Sequence, residues 1–261
     1  MDLGIKDKTA LVLSAGGGLG RAISCALARE GANVAVTDID EKSLSATVAD
    51  ILKDKGNAFS HPADLGDPAA LETLLGLIRQ QMGTVEILVN ISGGPPPTSA
   101  SDFNPELWKK HFQAMVLSIM HVTDLVLPGM RTKGWGRIIT SASSGVVAPI
   151  PNLTISNALR SALAGWSKTL AREVALDGIT VNLVLPGRVS TQRIRELDES
   201  RAKREGKSIE DVVKSSVASI PMQRYGDPDE YASIVAFLAS CKASYITGTM
   251  VRVDGGMIQS L

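Results

Sequence analysis

A glycine-rich loop near the N-terminus has the composition of a phosphate-binding turn. It lies between an apolar run and a helical pattern, and it consists of Ser14, Ala15, Gly16, Gly17, Gly18, Leu19 and Gly20. Such a loop lets main-chain N–H groups and a helix N-terminus approach a pyrophosphate closely. By itself the loop is also compatible with an ordinary structural turn.

Asp38 strengthens the first interpretation, because it ends the next apolar run. Dinucleotide sites place a carboxylate there, about twenty residues after the loop, where it accepts hydrogen bonds from the adenosine ribose. Its charge repels the 2′-phosphate that distinguishes NADP, so we expect NAD as the cofactor. Considered alone, Asp38 could instead open a turn together with Asp40.

A second set of polar residues occurs in the middle of the chain. Ser143 comes just after an apolar run, and Asn152, Ser156, Asn157 and Arg160 lie in the next helical segment. A serine hydroxyl is a weak acid, and an arginine does not give up its proton in a protein. We therefore hypothesise that Ser143, Ser156 and Asn152 hold a water, or the substrate's own ionisable group, that carries a proton.

Short β-branched runs alternate with helical patterns and must position these residues. The predicted strands span 9–13, 33–37, 58–61, 87–91, 137–140, 180–185 and 249–253, and the predicted helices span 18–30, 41–54, 67–82, 104–131, 152–175 and 227–240. This alternation predicts a parallel sheet, and continuously apolar strands predict helices on both faces. We expect an α/β fold: a Rossmann-type, doubly wound, seven-stranded parallel sheet in a single domain over residues 5–256. A charge-rich insertion at 190–218 is the expected substrate lid.

Composition limits the possible partners. The chain has 261 residues with 27 basic and 27 acidic side chains, which leaves no electrostatic footprint for nucleic acid or an anionic membrane. Two cysteines do not make a disulfide framework and indicate free thiols in a reducing cytoplasm. We find no signal segment and no apolar run of the roughly 18–20 residues that cross a bilayer. A cytoplasmic protein without a metal is expected.

Further motifs occur in a characteristic order. They are Ala63-Asp64-Leu65 after the third strand, Leu88 to Gly93 at the fourth, Pro186 to Thr191 after the sixth, and Val251 to Gly256 near the end. Through these motifs the chain resembles the short-chain dehydrogenase/reductases, and more narrowly a branch similar to the β-ketoacyl-carrier-protein reductases. The resemblance implies an NAD(H)-dependent oxidoreductase that interconverts a secondary alcohol and a carbonyl. It also implies a small-molecule or acyl-carrier-bound substrate and a homotetramer.

The resemblance assigns roles to individual residues. The expected cofactor-binding residues are Ser14, Gly17, Gly18, Leu19, Gly20, Asp38, Asp64, Leu65, Asn90, Gly93, Arg160, Pro186, Gly187, Val189 and Thr191. Among them, Asp64 and Leu65 would meet the adenine, and Arg160 would hold the nicotinamide ribose. Ser143 would polarise the substrate oxygen.

Four positions depart from the family pattern. Ser14 stands where the loop begins with glycine, and we expect Gly16 and Gly17 to supply the backbone freedom instead. In the catalytic set, Met115 replaces a helical asparagine, and Ser156 and Arg160 replace the tyrosine and lysine. The usual proton relay is therefore absent.

Substitutes for the missing acid are not evident. The three tyrosines Tyr225, Tyr231 and Tyr245 are expected away from the active-site helix, and His61, His111 and His121 are poorly placed as proton donors. Two other functions stay open: a non-redox lyase or isomerase, and a catalytically silent regulatory subunit. Basic residues in the lid could attract an anionic substrate, but interleaved acidic residues favour a solvated helix pair.

Overall fold

The computed structural model describes residues 1–260 as a seven-stranded parallel sheet with helices on both faces. The strands are β1 (Thr9–Val12), β2 (Asn33–Val36), β3 (Asn57–Ser60), β4 (Val85–Asn90), β5 (Gly136–Ser141), β6 (Ile179–Pro186) and β7 (Met250–Val253). The helices are α1 (Gly18–Arg29), α2 (Glu41–Lys53), α3 (Pro68–Met82), α4 (Pro105–Phe112), α5 (Ser118–Lys133), α6 (Thr154–Glu173), α7 (Gln192–Glu205), α8 (Ile209–Ala218) and α9 (Pro228–Leu238). The predicted fold class is confirmed.

The strand order is β3-β2-β1-β4-β5-β6-β7, and every neighbouring pair is parallel. The order of strands reverses direction between β1 and β4, where the loops after the two strands diverge to opposite faces. In open α/β sheets, this switch point leaves a crevice outside the carboxyl ends of the strands. The loops that carry Ser14 and Ser92 both start there.

Apolar side chains on both faces of the sheet explain the continuously apolar strands. On one face, Ile23 of α1 and Val235 of α9 pack in the same cluster of buried side chains. On the other, Leu74 of α3 and Val122 of α5 belong to a second cluster. Strands covered on both sides bury nearly all of their residues, as those of a parallel sheet do.

The predicted helix at 104–131 differs from the structure in one respect. A π-helical turn, Gln113–Leu117, separates α4 from α5, and Met115 lies inside it. Hydrophobic periodicity does not reveal such a turn, because one extra residue shifts the pattern only locally. Turns of this kind occur frequently at functional sites.

By length and composition alone, the stretch Pro105–Lys133 is long and apolar enough to cross a membrane. Within its most apolar window, 44% of the residues are buried inside the protein. Ile119 and Val122 are among the residues packed in the core. Packing of this kind accounts for the apolar character of the stretch.

The insertion predicted as a lid forms two helices, α7 and α8. Thr191 caps α7 by accepting a hydrogen bond from the Ile194 N–H, and Ser208 caps α8 in the same way. Most of the α7 surface is polar, and this helix packs against α8 and lines the cleft at the carboxyl ends of the strands.

Candidate cofactor and substrate cleft

A cleft of about 1070 Å³ opens at the carboxyl ends of the central strands. It is lined by the glycine loop, by the ends of β4, β5 and β6, and by the first turns of α7. Ligand sites of α/β sheets lie in this place because the loops there are free to carry polar groups. The expected catalytic residues Ser143, Asn152, Ser156 and Arg160 all line the cleft.

The glycine loop has an unusual start. Ser14 has a φ of 49° and so lies in the left-handed region, as does Gly18 with a φ of 52°. Gly17 is extended at φ −166°, and Gly16 is not left-handed either. The expectation that Gly16 and Gly17 supply the freedom that Ser14 lacks was therefore wrong. Ser14 itself adopts the conformation that normally favours glycine.

At two positions of the loop, neighbouring atoms approach so closely that only glycine fits. A Cβ on Gly20 would lie 2.3 Å from the Ser14 carbonyl oxygen, so α1 could not pack so closely after the turn. A Cβ on Gly16 would lie 2.9 Å from the Asp38 carboxylate. These contacts bring the N-terminus of α1 to the cleft, where it can meet an anion.

Asp38 is already tied to the loop. Its Oδ2 accepts a hydrogen bond of 2.8 Å from the Gly16 N–H, and its Oδ1 accepts one of 3.2 Å from the Asp40 N–H. The cleft here is also lined by Asp40 and Ser43. The segment after β2 contributes two carboxylates to the lining, Asp38 and Asp40, whereas the arginines of the lining come from α6, α7 and the loop after β6.

The other predicted cofactor residues fall into two groups. Those that line the cleft are Ser14, Gly17, Gly18, Leu19, Gly20, Gly93, Arg160, Pro186, Gly187, Val189 and Thr191. Asn90 lies behind the cleft, fully buried, and its Nδ2 donates to the hydroxyls of Thr123 and Thr140. Asp64 and Leu65 lie outside the cleft lining, next to Ala63, whose N–H donates to the Asp38 carbonyl.

Ser143 is positioned to donate a hydrogen bond into the cleft. It follows β5 directly, and its Oγ accepts a hydrogen bond of 3.0 Å from the Gly145 N–H. Because Ser143 uses its oxygen as the acceptor in this bond, its hydroxyl proton remains available for donation to another group. Ser143 can therefore polarise an oxygen of a ligand in the cleft.

Arg160 is the most buried charged residue of the cleft. Its side chain donates to the carbonyls of Ser141 at 3.1 Å and Ser92 at 3.2 Å, which ties the ends of β5 and β4 together. Burial lowers the pKa of Arg160 to about 10. The positive charge of Arg193 lowers the pKa of Arg160 further. Arg160 therefore stays cationic at neutral pH.

Other members of the predicted polar cluster have different surroundings. Asn152 has a φ of 61° and its carbonyl accepts from the Thr98 N–H, so it forms the turn that precedes α6. Asn157 turns away from the cleft, because its side-chain amide makes two hydrogen bonds with the main chain of Ile150. Asn157 thus holds a loop and does not contact a ligand there.

Met115 lies in an apolar environment. It is 1% exposed and packs with Ile155 and Leu159 of α6. The thioether has no strong donor or acceptor, and its apolar neighbours leave no polar group to hold a water. The structure therefore agrees with the absence of a water-holding residue at this position.

Sequence reasoning assigned no role to Ser141 or Ser92 near the cleft, and it considered Arg193 only as one of several basic lid residues. Ser141 lines the cleft, and its Oγ lies 2.8 Å from the hydroxyl of Tyr231. Tyr231 therefore contacts a residue of the cleft lining, although it does not line the cleft itself. The Ser92 Oγ is buried without a partner, and Arg193 donates to the Pro95 carbonyl. The proline-rich loop at residues 93–98 is visible in the sequence, and it was the signal that could have pointed to Ser92 and Arg193.

The remaining candidate acids stay outside the cleft. Within the described residues, none of the three histidines lines it. Tyr225 donates to Asp198, and burial raises its pKa. Tyr245 is fully exposed. Neither tyrosine is placed to act as the proton donor.

Some of the lid charges form ion pairs with neighbouring residues. Arg201 and Lys207 both bind Glu205, at 2.7 Å and 2.9 Å. Arg188 binds the buried Asp198 at 2.6 Å, which connects the β6 loop to α7. Arg193 forms no ion pair among the described residues, and its guanidinium turns into the cleft.

Comparisons with known proteins agree with this geometry. The family described as enoyl-(acyl carrier protein) reductase matches residues 14–258. The chain is 38% identical over 258 residues to the 3-oxoacyl-acyl-carrier-protein reductase FabG of Escherichia coli, covering 98% of this chain and 99% of that one. It is 32% identical over 256 residues to the D-beta-hydroxybutyrate dehydrogenase of Cupriavidus necator, covering 97% and 99%. The L-sorbose reductase of Gluconobacter frateurii, solved with NADPH and L-sorbose, superposes with a TM-score of 0.94 at 30% identity over 100% of both chains.

Proposed function

The chain belongs to the short-chain dehydrogenase/reductase superfamily, in the branch of the 3-oxoacyl-acyl-carrier-protein reductases, and on this basis we propose that it interconverts a secondary alcohol and a carbonyl with NAD(H). Its relatives are nicotinamide-dependent oxidoreductases. The observation that carries the proposal is one cleft that contains the glycine loop, Asp38, Ser143 and Arg160 together.

The residues present fit a nicotinamide dinucleotide. The glycines leave room at the N-terminus of α1, where side chains would collide with Asp38 or with the Ser14 carbonyl. The carboxylate of Asp38 lies beside this loop and suits the ribose hydroxyls of adenosine. Asp64 and Leu65 would extend the site toward the adenine, and Pro186 to Thr191 would cover the carboxamide.

The choice of NAD over NADP is part of the proposal. L-sorbose reductase was solved with NADPH. Here, Asp38 and Asp40 give the ribose end of the cleft a negative charge, which disfavours an additional phosphate. The arginines of the lining come from α6, α7 and the loop after β6 and not from the segment after β2, which supports the same choice.

When bound, the nicotinamide supplies or accepts the hydride. Ser143 donates a hydrogen bond to the substrate oxygen and stabilises negative charge on it. Arg160 holds a fixed positive charge beneath the site, and it positions the ends of β4 and β5. Because neither Ser156 nor Arg160 is a useful acid, a water or an ionisable group of the substrate, held by Ser143, Ser156 and Asn152, carries the proton.

The substrate is a small molecule or a carrier-bound acyl group, and the protein acts in the cytoplasm as a homotetramer with a single domain over residues 5–256. Large apolar side chains that stay exposed near α4 support an assembly. Phe103 is 75% exposed, Phe112 41% and Leu117 40%. Exposed apolar groups in proximity are typical of interfaces.

The decisive experiment measures binding of NADH and NADPH by fluorescence titration in the wild type and in Asp38→Asn. The wild type should prefer NADH, and Asp38→Asn should reduce that preference about tenfold, because one repulsive charge is lost. Asp102→Asn, which removes the same charge from an exposed loop, should leave the preference unchanged.

Turnover is then screened over hydroxy acids, polyols and acyl thioesters. Ser143→Ala should lower kcat about a hundredfold, which is the typical effect of losing one donor to a developing oxyanion. Intact turnover in both Ser143→Ala and Arg160→Ala would contradict the assigned roles. Tight NADH binding without any turnover would instead favour a regulatory subunit.

A further inference from the structure

Two arginines from different helices bind the same loop. Arg160 of α6 donates to the Ser92 carbonyl, and Arg193 of α7 donates to the Pro95 carbonyl at 2.7 Å. The residues between these carbonyls are Gly93 and Gly94, both exposed. The Arg193 Nη2 would lie 2.9 Å from a Cβ on Gly94, so the guanidinium lies directly on the glycine backbone. The loop and both cations line one part of the cleft.

Neither arginine forms an ion pair within the described residues, whereas Arg188 and Arg201 each bind a carboxylate. Burial lowers the pKa of both Arg160 and Arg193. Glu196 offsets the shift of Arg193 only in part. Two cations on one loop without a counter-charge are costly, and an anion between them would stabilise both.

A third polar group points to a ligand. The Ser92 hydroxyl is buried, lines the cleft through its residue, and has no hydrogen-bond partner in the described chain. Ser92 is 6% exposed. Buried hydroxyls are normally hydrogen-bonded, so an unpartnered one on a loop that binds two cations indicates a missing acceptor.

We propose that Arg193, Ser92 and Arg160 form a binding site for an anionic oxygen group, a carboxylate or a phosphate. Arginine suits such groups because its planar fork retains further N–H donors after one is used on Pro95. Assigning the anion to a ligand of the enzyme rests on the proposed function. The conclusion that the site suits an anion is independent of the proposed function.

Two sources supply this chemistry. A substrate carboxylate is one, because Ser143 and Arg160 line the same cleft. The cofactor's pyrophosphate is the other, because Thr191, two residues before Arg193, lies 3.5 Å from the place of a Cβ on Gly18 in the phosphate loop. The two sources differ in which ligand loses affinity when Arg193 is changed.

The test is calorimetric titration of the whole protein with malonate and with inorganic pyrophosphate, at constant ionic strength. Arg193→Gln should lower the affinity for the anion about tenfold, as expected for the loss of one charge-assisted hydrogen bond. The matched control is Arg195→Gln, because Arg195 is exposed on the same helix and does not line the cleft. Its affinity should equal that of the wild type.

Ser92→Ala supplies an independent variant. Its hydroxyl has no partner to lose, so the free energy of unfolding without ligand should not fall, whereas anion affinity should. Loss of malonate binding alone would identify a substrate carboxylate. Parallel loss of pyrophosphate and NADH binding would identify the cofactor phosphates.

Two outcomes would overturn the proposal. One is that wild-type protein binds neither anion, and the other is that Arg193→Gln and Arg195→Gln behave alike. NADH titration of the wild type separately tests the proposed function. An Arg193-dependent anion site in a protein that does not bind NADH would contradict the proposed function and leave the site intact.

Discussion

Ser14 and Gly20 determine how closely helix α1 approaches the end of β1. The left-handed backbone of Ser14 turns its carbonyl toward the helix, and the missing side chain of Gly20 leaves room for it. Such a conformation costs a non-glycine residue about 1–2 kcal/mol. The surrounding contacts must therefore hold Ser14 in place.

Gly20→Ala should lower the free energy of unfolding by about 1–3 kcal/mol, because its Cβ would collide with main chain that cannot move aside. Gly17→Ala is the matched control, since nothing lies within 4 Å of a Cβ there and the backbone is extended. Urea denaturation of both variants checks this. Equal losses would show that the close approach is not what requires Gly20.

The proton chemistry also belongs to single residues. A catalytic group with a pKa near neutrality would impose a tenfold change in rate per pH unit on one side of its pKa. Ser143 and Ser156 do not titrate in that range, and Arg160, with a pKa of about 10, keeps its charge below that value. None of the side chains assigned to catalysis is therefore an acid that titrates near neutrality.

We expect kcat/KM to stay flat between about pH 6 and pH 9 for a substrate that does not itself titrate there. Arg160 keeps its charge across this range because its pKa lies at about 10, so it adds no pH dependence there. Initial rates across this range provide the measurement. A bell-shaped profile centred near neutrality would reveal an acid that the cleft residues do not explain.

Helix α9 reaches the catalytic end of β5 through one side chain. Tyr231 is fully buried, donates to the Val184 carbonyl at 3.1 Å and pairs with Ser141. Burial raises its pKa, so the phenol stays neutral. Tyr231 is therefore suited to positioning Ser141 and unsuited to proton donation.

Tyr231→Phe should lower the free energy of unfolding by about 1–2 kcal/mol, since the buried Ser141 hydroxyl loses its partner. Tyr245→Phe makes the same chemical change on a fully exposed side chain and should have no measurable effect. Chemical denaturation of the two variants compares them directly. A neutral Tyr231→Phe would mean that Ser141 finds another partner.

Helix α7 is fastened to the sheet by a small polar network. The buried carboxylate of Asp198 binds Arg188 at 2.6 Å and accepts a hydrogen bond of 2.8 Å from Tyr225. Arg188 follows β6, so the network connects the lid to the end of a central strand. The position of Arg193 in the cleft depends on this connection.

Asp198→Asn should reduce stability by about 2 kcal/mol, because a hydrogen-bonded charge is lost. Amide hydrogen exchange in α7 should become faster while the exchange of β1 and β4 changes less. Glu199→Gln, at the adjacent exposed position, is the control. Unchanged exchange in α7 would show that other contacts hold the lid.

At the scale of the whole molecule, exposed apolar residues around α4 indicate a covered surface. Phe112→Glu should shift the mass measured by sedimentation velocity toward smaller species, because a charge buried in an interface is costly. Leu52→Glu changes a different exposed apolar side chain, which is 55% exposed on α2, and should leave the mass unchanged. A monomeric wild type would contradict the proposed tetramer.

The sequence by itself determined the fold and the glycine loop. Strand positions were predicted to within a residue or two, because hydrophobic runs, helix caps such as Asp67 and Asp227, and loop glycines act over a few neighbouring residues. Asp38 was found by its fixed distance from the loop. These signals are local, so the order of residues along the chain contains them.

Only the tertiary structure decided which polar groups meet in the cleft. Tyr231 and Ser141 are 90 residues apart, and Arg193 and Pro95 are 98 apart. Hydrophobic periodicity says which face of a helix is buried, but it does not say where a long polar side chain on a half-exposed helix turns. That direction depends on how α7 packs against α8 at the cleft and how α9 packs against the sheet. In the folded chain, Arg193 has no acidic partner among the described residues, and Asn157 is turned away from the site.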